Sequence, residues 1–249
     1  MGEGLMIDCF PFFNELDLLE VRLHALSPFV DRFVLAECPL THSGNPKPLF
    51  FEENKARFDG FDITHVIVPP RDGSPWELET WGRECLLEGI GGSDPEEMIL
   101  ISDVDEIPDP EGFMGEEGIF SQRLYYYFFN CFTGASDWRG TMAQRKKNLG
   151  PHCIDHVQRR RAGAKLPVVG GGWHFSTLGS AEQILFKIES FAHQELNTAR
   201  LKDDLGAKRN ALVNWGEVGT QFSVEDPSGP RWLLENRGKY PDLWVPDGV

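Results

Sequence analysis

Short apolar runs alternate with segments of helical periodicity through the N-terminal part of this chain. The pattern predicts strands over 5–10, 32–36, 63–68 and 98–101, one helix capped by Asn14, and another over 76–90. This alternation is typical of a parallel sheet with helices on its faces. The sequence therefore predicts an α/β fold. The second half is less regular, with an aromatic strand predicted over 123–132 and an amphipathic helix beginning near Ser180.

Composition limits the classes of function. The chain has 249 residues with a net charge of −15, and such an acidic chain is a poor candidate for nucleic-acid binding. Its five cysteines, Cys153 among them, form no CxxC pair, which indicates neither a disulfide framework nor structural zinc. No apolar run approaches the roughly 20 residues of a membrane span, and we find no signal peptide. We therefore expect a soluble cytoplasmic protein.

Polar clusters follow three of the predicted strands. Asn14 and Glu15 come after the first strand, Glu37 ends the second, and residues 103–106 follow the fourth. Ligands of open α/β sheets bind outside the carboxyl ends of the strands. If these strands are parallel neighbours, the three clusters meet in one cleft.

The segment after the fourth strand carries Asp103, Asp105 and Glu106. Carboxylates two positions apart in an extended segment point the same way, and oxygen ligands suit Mg²⁺ or Mn²⁺ holding a diphosphate. A solvated acidic turn would have the same composition. The position at the end of a buried strand favours the metal site.

Other groups of residues could also contribute to a site. Residues 139–165 form the basic segment of the chain. This segment could be a solvated loop, or it could supply cations that neutralise a diphosphate. Glu79 and Arg83 lie one helical turn apart, as a surface ion pair would. Trp173 and His174 follow three glycines. The tryptophan could stack on a sugar or a base, and the imidazole could complete a Mn²⁺ sphere.

Six segments of the chain form a characteristic ordered set: FFNELDLLEVRL (12–23), VLAECPLTHSGNPKPLFF (34–51), ILISDVDEIPDP (99–110), GGWHFS (171–176), EQILFKIESF (182–191) and PRWLLENRGKYPDLW (230–244). Together these segments resemble glycosyltransferase family 17. The match runs through nearly the whole chain, and the order and spacing of the segments are specific.

The resemblance implies a GT-A-like nucleotide-sugar-binding fold with a mixed, mostly parallel central sheet. It implies UDP-N-acetylglucosamine as donor, inversion to a β linkage, and the DxD metal motif on Asp103 and Asp105. We expect one glycosyltransferase domain over 1–249, with a nucleotide-binding half at about 1–110 and an acceptor half at about 111–249.

The resemblance also places site residues. Mn²⁺ or Mg²⁺ would be held by Asp103, Asp105 and His174. Glu15, Glu37, Lys47, Arg83, Asp103 and Trp173 fall at matching positions, and we infer from their placement near strand ends that they bind the donor.

An inverting transfer needs a general base for the acceptor hydroxyl. The candidates are Glu106, Glu182 and Glu195, and we favour Glu106 because it adjoins Asp105 in the metal motif.

The expected partners are a UDP-sugar and a glycan or lipid-linked saccharide acceptor. Animal members carry a membrane anchor that this sequence lacks, so we expect a cytoplasmic enzyme with at most peripheral membrane contact. Two alternatives stay open. One is another metal-dependent nucleotide-sugar enzyme, such as a nucleotidyltransferase or phosphohydrolase. The other is a non-catalytic glycan-binding module, which would give no reason for Asp103 and Asp105.

Overall fold

The computed structural model describes residues 6–150, 165–214, 220–225 and 228–245. Cys153 and Arg159–Arg161 of the basic segment lie outside these residues. The strands in the described ranges are β1 (Met6–Phe12), β2 (Arg32–Glu37), β3 (Ile63–Ile67), β4 (Met98–Ile101), β5 (Glu106–Asp109), β6 (Gly118–Tyr126), β7 (Cys131–Phe132), β8 (Trp138–Arg145), β9 (Val168–Ser176) and β10 (Ser223–Val224).

The α-helices in the same ranges are α1 (Leu16–Leu26), α2 (Phe50–Asn54), α3 (Pro75–Glu84), α4 (Leu86–Gly89), α5 (Ala181–Ser190), α6 (Ala199–Asn210) and α7 (Arg231–Glu235). In the described part of the chain, none of them combines the length and the apolar character that crossing a membrane requires.

One mixed sheet runs through both halves of the chain. Its order is β10-β7-β6-β8-β4-β1-β2-β3, with β9 beside β6 and β5 beside β9. Strands β3, β2, β1 and β4 are mutually parallel, whereas β8 runs antiparallel between β4 and β6. The predicted α/β class with a mixed central sheet is confirmed. The division into halves near residue 110 stays a prediction.

Strands β1, β2 and β4 are mostly buried on both faces because helices cover both. Ile7, Val34 and Ile99 belong to one core cluster, while Phe10 and Leu100 belong to the cluster on the opposite face. A strand buried on both sides needs a nearly continuous apolar run. This is why the short apolar runs of the sequence predicted these three strands well.

The predicted helix over 76–90 is interrupted. Helix α3 ends at Glu84 and α4 begins at Leu86, and Leu86 and Ile90 enter the core. Gly89 lies so close to β2 that a side-chain carbon at this position would fall 2.3 Å from Val34 Cγ1. Burial of α4 against the sheet therefore overrides the continuous helical pattern.

Two further boundaries differ from the prediction. The aromatic strand predicted over 123–132 ends at Tyr126, because Tyr127 takes a left-handed conformation with φ 65°. Helix α1 begins after Glu15 rather than after Asn14, and no side chain caps it. The Glu15 carboxylate instead accepts hydrogen bonds from the backbone N–H groups of Phe13 (3.3 Å) and Asn14 (3.0 Å). By contrast α5 begins at the predicted place, with Ser180 and Gln183 forming a capping box.

Candidate active site

A cavity of about 380 Å³ lies at the carboxyl ends of β1, β2 and β4, which are adjacent in the sheet. We call it the strand-end cavity. Seven of the residues singled out in the sequence line it: Glu15, Lys47, Glu79, Arg83, Asp103, Asp105 and His174. The parallel order of the strands therefore brings together side chains that lie up to 159 positions apart in the sequence.

The carboxylates after β4 lie on a turn. The backbone N–H of Asp103 donates to Glu106 Oε2 at 2.9 Å, and the N–H of Glu106 donates to the carbonyl of Asp103 at 3.0 Å. The assumption of an extended segment was wrong, since this hydrogen-bonded turn reverses the chain between β4 and β5. Asp103 and Asp105 both line the strand-end cavity, but they contact different cations.

Arg22 of α1 holds this turn from beneath. Its Nη1 donates to the carbonyls of Asp103 (2.9 Å), Val104 (3.2 Å) and Glu106 (2.9 Å). Its Nε and Nη2 donate to the two carboxylate oxygens of Asp8 at 2.7 and 2.6 Å. Both side chains are fully buried, so one guanidinium sets the backbone position of the turn.

Asp103 is paired with Arg83 of α3. Nη2 of Arg83 lies 2.8 and 2.9 Å from the two oxygens of Asp103, and Nη1 contacts Glu79. Burial of the guanidinium lowers its pKa, but the two carboxylates outweigh burial and hold the pKa of Arg83 above its usual range. The predicted surface ion pair of Glu79 and Arg83 is therefore part of a cavity wall.

The Asp105 carboxylate lies close to two side chains that are far from it in the sequence. His174 Nε2 lies 3.5 Å from Oδ1, and Lys187 Nζ of α5 lies 3.3 Å from Oδ2. Lys187 is also 3.3 Å from Glu15 Oε1. Burial raises the pKa of Asp105, yet the Lys187 ammonium and the His174 ring outweigh it, so the pKa lies below its usual range.

The pKa of Lys187 is shifted by the same contacts, in the opposite direction to that of Asp105. Burial lowers the pKa of this ammonium, but Asp105 and Glu15 outweigh burial and raise the pKa above its usual range. Lys187 therefore stays a cation between two carboxylates, inside the strand-end cavity.

The donor set at Asp105 fits a divalent metal in part. Among the described residues no group of three His, Cys, Asp or Glu side chains is arranged to hold an ion. Asp103 is turned to Arg83, whereas Asp105 and His174 are close enough to share one ion at ligand distances of about 2.1 Å. Within the described part of the chain, the buried Nδ1 of His174 has no hydrogen-bond partner. Mg²⁺ is commonly held by two protein ligands, with diphosphate oxygens and water completing its coordination sphere.

Glu37 lies behind the strand-end cavity. Its carboxylate is fully buried, accepts a hydrogen bond from Phe51 N–H at 3.2 Å, and lies 3.3 Å from Lys47 Nζ. Burial lowers the pKa of Lys47, and Glu37 opposes that shift. Glu37 therefore holds Lys47, and it is Lys47 that reaches the cavity wall.

Glu106 is also turned away from the strand-end cavity. Besides the Asp103 N–H, its carboxylate accepts a hydrogen bond from Trp138 Nε1 at 2.7 Å, and the residue is 1% exposed. Gly140 lies against it, since a side-chain carbon there would fall 2.5 Å from the Glu106 carboxyl carbon. This environment suits a residue that positions the turn and Trp138.

The two neighbours on β9 point to opposite faces, as successive strand residues do. His174 enters the strand-end cavity, whereas Trp173 packs in another core cluster and donates to Ser228 Oγ at 3.4 Å. Gly172 permits this register, because its φ is 142° and a side-chain carbon would fall 2.4 Å from the carbonyl of Ile107.

The remaining residues that the sequence suggested for the site lie at the surface or bind other parts of the chain. Glu182 accepts from Ser180 Oγ at 2.9 Å at the exposed start of α5, and Glu195 contacts His193 at 2.6 Å. From the described part of the basic segment, Arg145 and Lys147 bind the loop before β4 through Glu96.

Sequence reasoning missed Arg22 and Lys187. Arg22 lies on the same helical stripe as Leu19 and Leu26, and a charge at an inward position is a signal of a buried partner. Lys187 precedes the buried Ile188 of α5. Its partners come from the segment after β1 and the turn after β4, so no local signal could have identified it.

The position of His42 predicts that the stability of the protein depends on pH. It lies on the wall of the strand-end cavity, and burial lowers the pKa of its imidazole from 6.5 to about 4. Between these values the unfolded state binds more protons, so stability is full above about pH 6.5 and falls as pH approaches 4. The ring is half-buried, so we expect an effect of about 1–2 kcal/mol.

The measurement is urea unfolding of the wild type and of His42→Asn at about pH 7 and about pH 4.5. The wild type should lose more stability than the variant on acidification. Equal losses would show that His42 does not titrate differently in the two states.

Comparison with known proteins assigns a family to this architecture. The family model described as Glycosyltransferase family 17 matches residues 4–209. The β-1,4-mannosyl-glycoprotein 4-β-N-acetylglucosaminyltransferase of Homo sapiens is 32% identical over 281 aligned positions, which cover 91% of this chain and 52% of the human protein. The chain thus spans about half the length of the curated relatives it matches.

The chain is less similar to proteins of known structure. The inositol-1-phosphate CTP transferase from T. maritima matches with a TM-score of 0.38 and 10% identity, covering 86% of this chain and 99% of that one. S. aureus TarS 1–349 in complex with UDP matches with a TM-score of 0.40 and 10% identity, covering 83% and 71%. These scores are too low to identify a shared fold, so the assignment depends on the family match over 206 of the 249 residues. The chain belongs to glycosyltransferase family 17.

Proposed function

We propose that this chain transfers N-acetylglucosamine from UDP-N-acetylglucosamine to a hydroxyl of a glycan or lipid-linked saccharide, with inversion and with a divalent metal ion. The observation that carries the proposal is the arrangement of Asp105 between His174 and Lys187 in the strand-end cavity. Family membership and the activity named for the human relative support the sugar and the reaction class.

The donor diphosphate would lie over the turn after β4. Asp105 and His174 would hold Mn²⁺ or Mg²⁺, and Asp103 would support that site through its pair with Arg83. When bound, the ion supplies Lewis-acid stabilisation of the charge that develops on the UDP leaving group. Lys187 and Lys47 lie on the same walls and would neutralise the remaining phosphate charge.

The uridine and the sugar would occupy the rest of the strand-end cavity. The wall there is contributed by the loop after β2, including Leu40, Thr41 and His42. A neutral imidazole and a threonine hydroxyl can each donate and accept a hydrogen bond, as recognition of a uracil edge requires. Glu37 contributes to donor binding through Lys47, since it holds that ammonium in place.

Calorimetric titration of UDP tests the proposal. We expect binding in Mn²⁺ that is weakened in EDTA, and a loss of affinity of about 10–100-fold in Asp105→Ala, because the variant lacks a metal ligand. Asp59→Ala, on the surface after α2, is the matched control and should bind as the wild type does. Absence of UDP binding under every condition would refute the proposal. Binding that is equal in Mn²⁺ and EDTA would refute its metal dependence.

A further inference from the structure

A second cavity, of about 320 Å³, lies where the N-terminal ends of α1 and α5 meet. We call it the helix-end cavity. Its polar and apolar walls include Asn14, Asp17, Arg57, Leu178, Gln183 and Ile184. Its volume lies at the lower end of the range for ligand pockets. Amide, carboxylate and guanidinium groups beside aliphatic side chains match a pyranose, which has hydroxyls at its edge and C–H groups on its faces.

The two cavities share a wall. Glu15 and Lys187 line both the strand-end cavity and the helix-end cavity, and their side chains lie 3.3 Å apart. A group transfer needs the acceptor hydroxyl within about 3–3.5 Å of the anomeric carbon. A donor in one cavity and an acceptor in the other would meet at this ion pair.

Resting on the function proposed above, we propose that the helix-end cavity binds the acceptor saccharide and that Glu15 accepts the proton of its attacking hydroxyl. Glu15 is the one acidic residue, within the described ranges, that lines both cavities. The remaining acids of the strand-end cavity, Asp103, Asp105 and Glu79, face Arg83 or Lys187 on the donor side.

The Glu15 carboxylate is held in a fixed orientation. Oε2 accepts the N–H groups of Phe13 and Asn14, and Oε1 faces Lys187. A carboxylate has about four lone-pair sites, so these contacts leave capacity for a hydroxyl. This role replaces the donor binding that we expected of Glu15 from the sequence.

The step balances as a single displacement. The acceptor oxygen forms a bond to the anomeric carbon as the bond from that carbon to the diphosphate oxygen breaks. The electron pair of the broken bond leaves with UDP, and the hydroxyl proton passes to Glu15, which releases it to solvent. Lys187, on the same wall, lies beside both the base and the leaving group.

Methyl NMR locates the saccharide without requiring turnover. The probes are methyl β-mannoside, chosen from the β-mannosyl acceptor in the name of the human relative, and methyl β-glycosides of glucose, galactose and N-acetylglucosamine. With UDP and Mn²⁺ present, at least one probe should shift the methyl signals of Leu178, Ile184 and Leu243, which line the helix-end cavity. Ile67, exposed on β3, is the reference and should not shift.

UDP with Mn²⁺, in the absence of saccharide, should shift the methyl signals of Leu40 and Val104 of the strand-end cavity. No shift there would show failure of the proposed function. A UDP shift without any saccharide shift at the helix-end cavity would overturn the present inference alone. Asn14→Ala should weaken the saccharide shift several-fold and leave the UDP shift unchanged, whereas Asn210→Ala, exposed on α6, should change neither.

Kinetics test the role of Glu15. Glu15→Gln keeps an oxygen for the backbone N–H groups but cannot take a proton, so kcat for transfer to the probe should fall about 10²–10⁴-fold. The KM for UDP-N-acetylglucosamine and the saccharide methyl shifts should stay near the wild-type values. Transfer within threefold of wild type, or a loss explained wholly by KM, would overturn the assignment. Asp59→Asn is the control on the surface.

Discussion

Replacing Arg22 by methionine will lower the free energy of unfolding by about 3–5 kcal/mol, because the change leaves the buried Asp8 carboxylate without its cation. It will also weaken UDP binding. The carbonyls of Asp103, Val104 and Glu106 lose their common donor, so the turn that carries the candidate metal ligand Asp105 is no longer held in position. Urea unfolding and calorimetry on the same samples measure the two effects.

A double variant separates the two causes. Asp8→Leu combined with Arg22→Met removes both charges, and replacing a buried pair by apolar groups is often neutral or stabilising. We expect stability to recover in part and UDP affinity to stay low, since the three carbonyls remain without Arg22. Arg231→Met, at an arginine 91% exposed, is the control and should change stability by less than about 0.5 kcal/mol. An Arg22→Met protein as stable as the wild type would contradict the argument.

Replacing Lys187 by methionine will reduce the rate of sugar transfer about 10²–10³-fold, the size of effect seen when one charge-stabilising group is removed from an active site. The ammonium lies 3.3 Å from both Asp105 and Glu15. Its loss leaves two carboxylates without their shared cation and removes a positive charge from the leaving-group side. The pKa of Asp105 will rise, because burial then acts with less opposition.

The measurement is UDP release from UDP-N-acetylglucosamine, with and without an acceptor. Lys202→Met is the matched control, because Lys202 forms an exposed pair with Glu189 on the neighbouring helix. A double-mutant cycle with Asp105→Asn should show strong coupling for Lys187 and none for Lys202. Rates for Lys187→Met within threefold of the control would show that this ammonium has no part in the reaction.

The sequence predicted the parallel part of the sheet and the meeting of the strand-end polar clusters that form the candidate site. Strands β1, β2 and β4 are short, mostly apolar and followed by polar residues, and such local patterns can be read directly from residue order. The acidic segment after β4 was expected beside Glu15, and it lies there because parallel neighbours end at the same edge of a sheet.

Only the tertiary structure determines which way these side chains point and which residues far away in the sequence they contact. Glu37, Glu106 and Trp173 occupy the expected segments but face the interior, since successive side chains of a strand point to opposite faces. Arg22 and Lys187 each meet a partner 82 positions away in the sequence. Local propensity and periodicity carry no information about such contacts, because they form only when separate elements pack together.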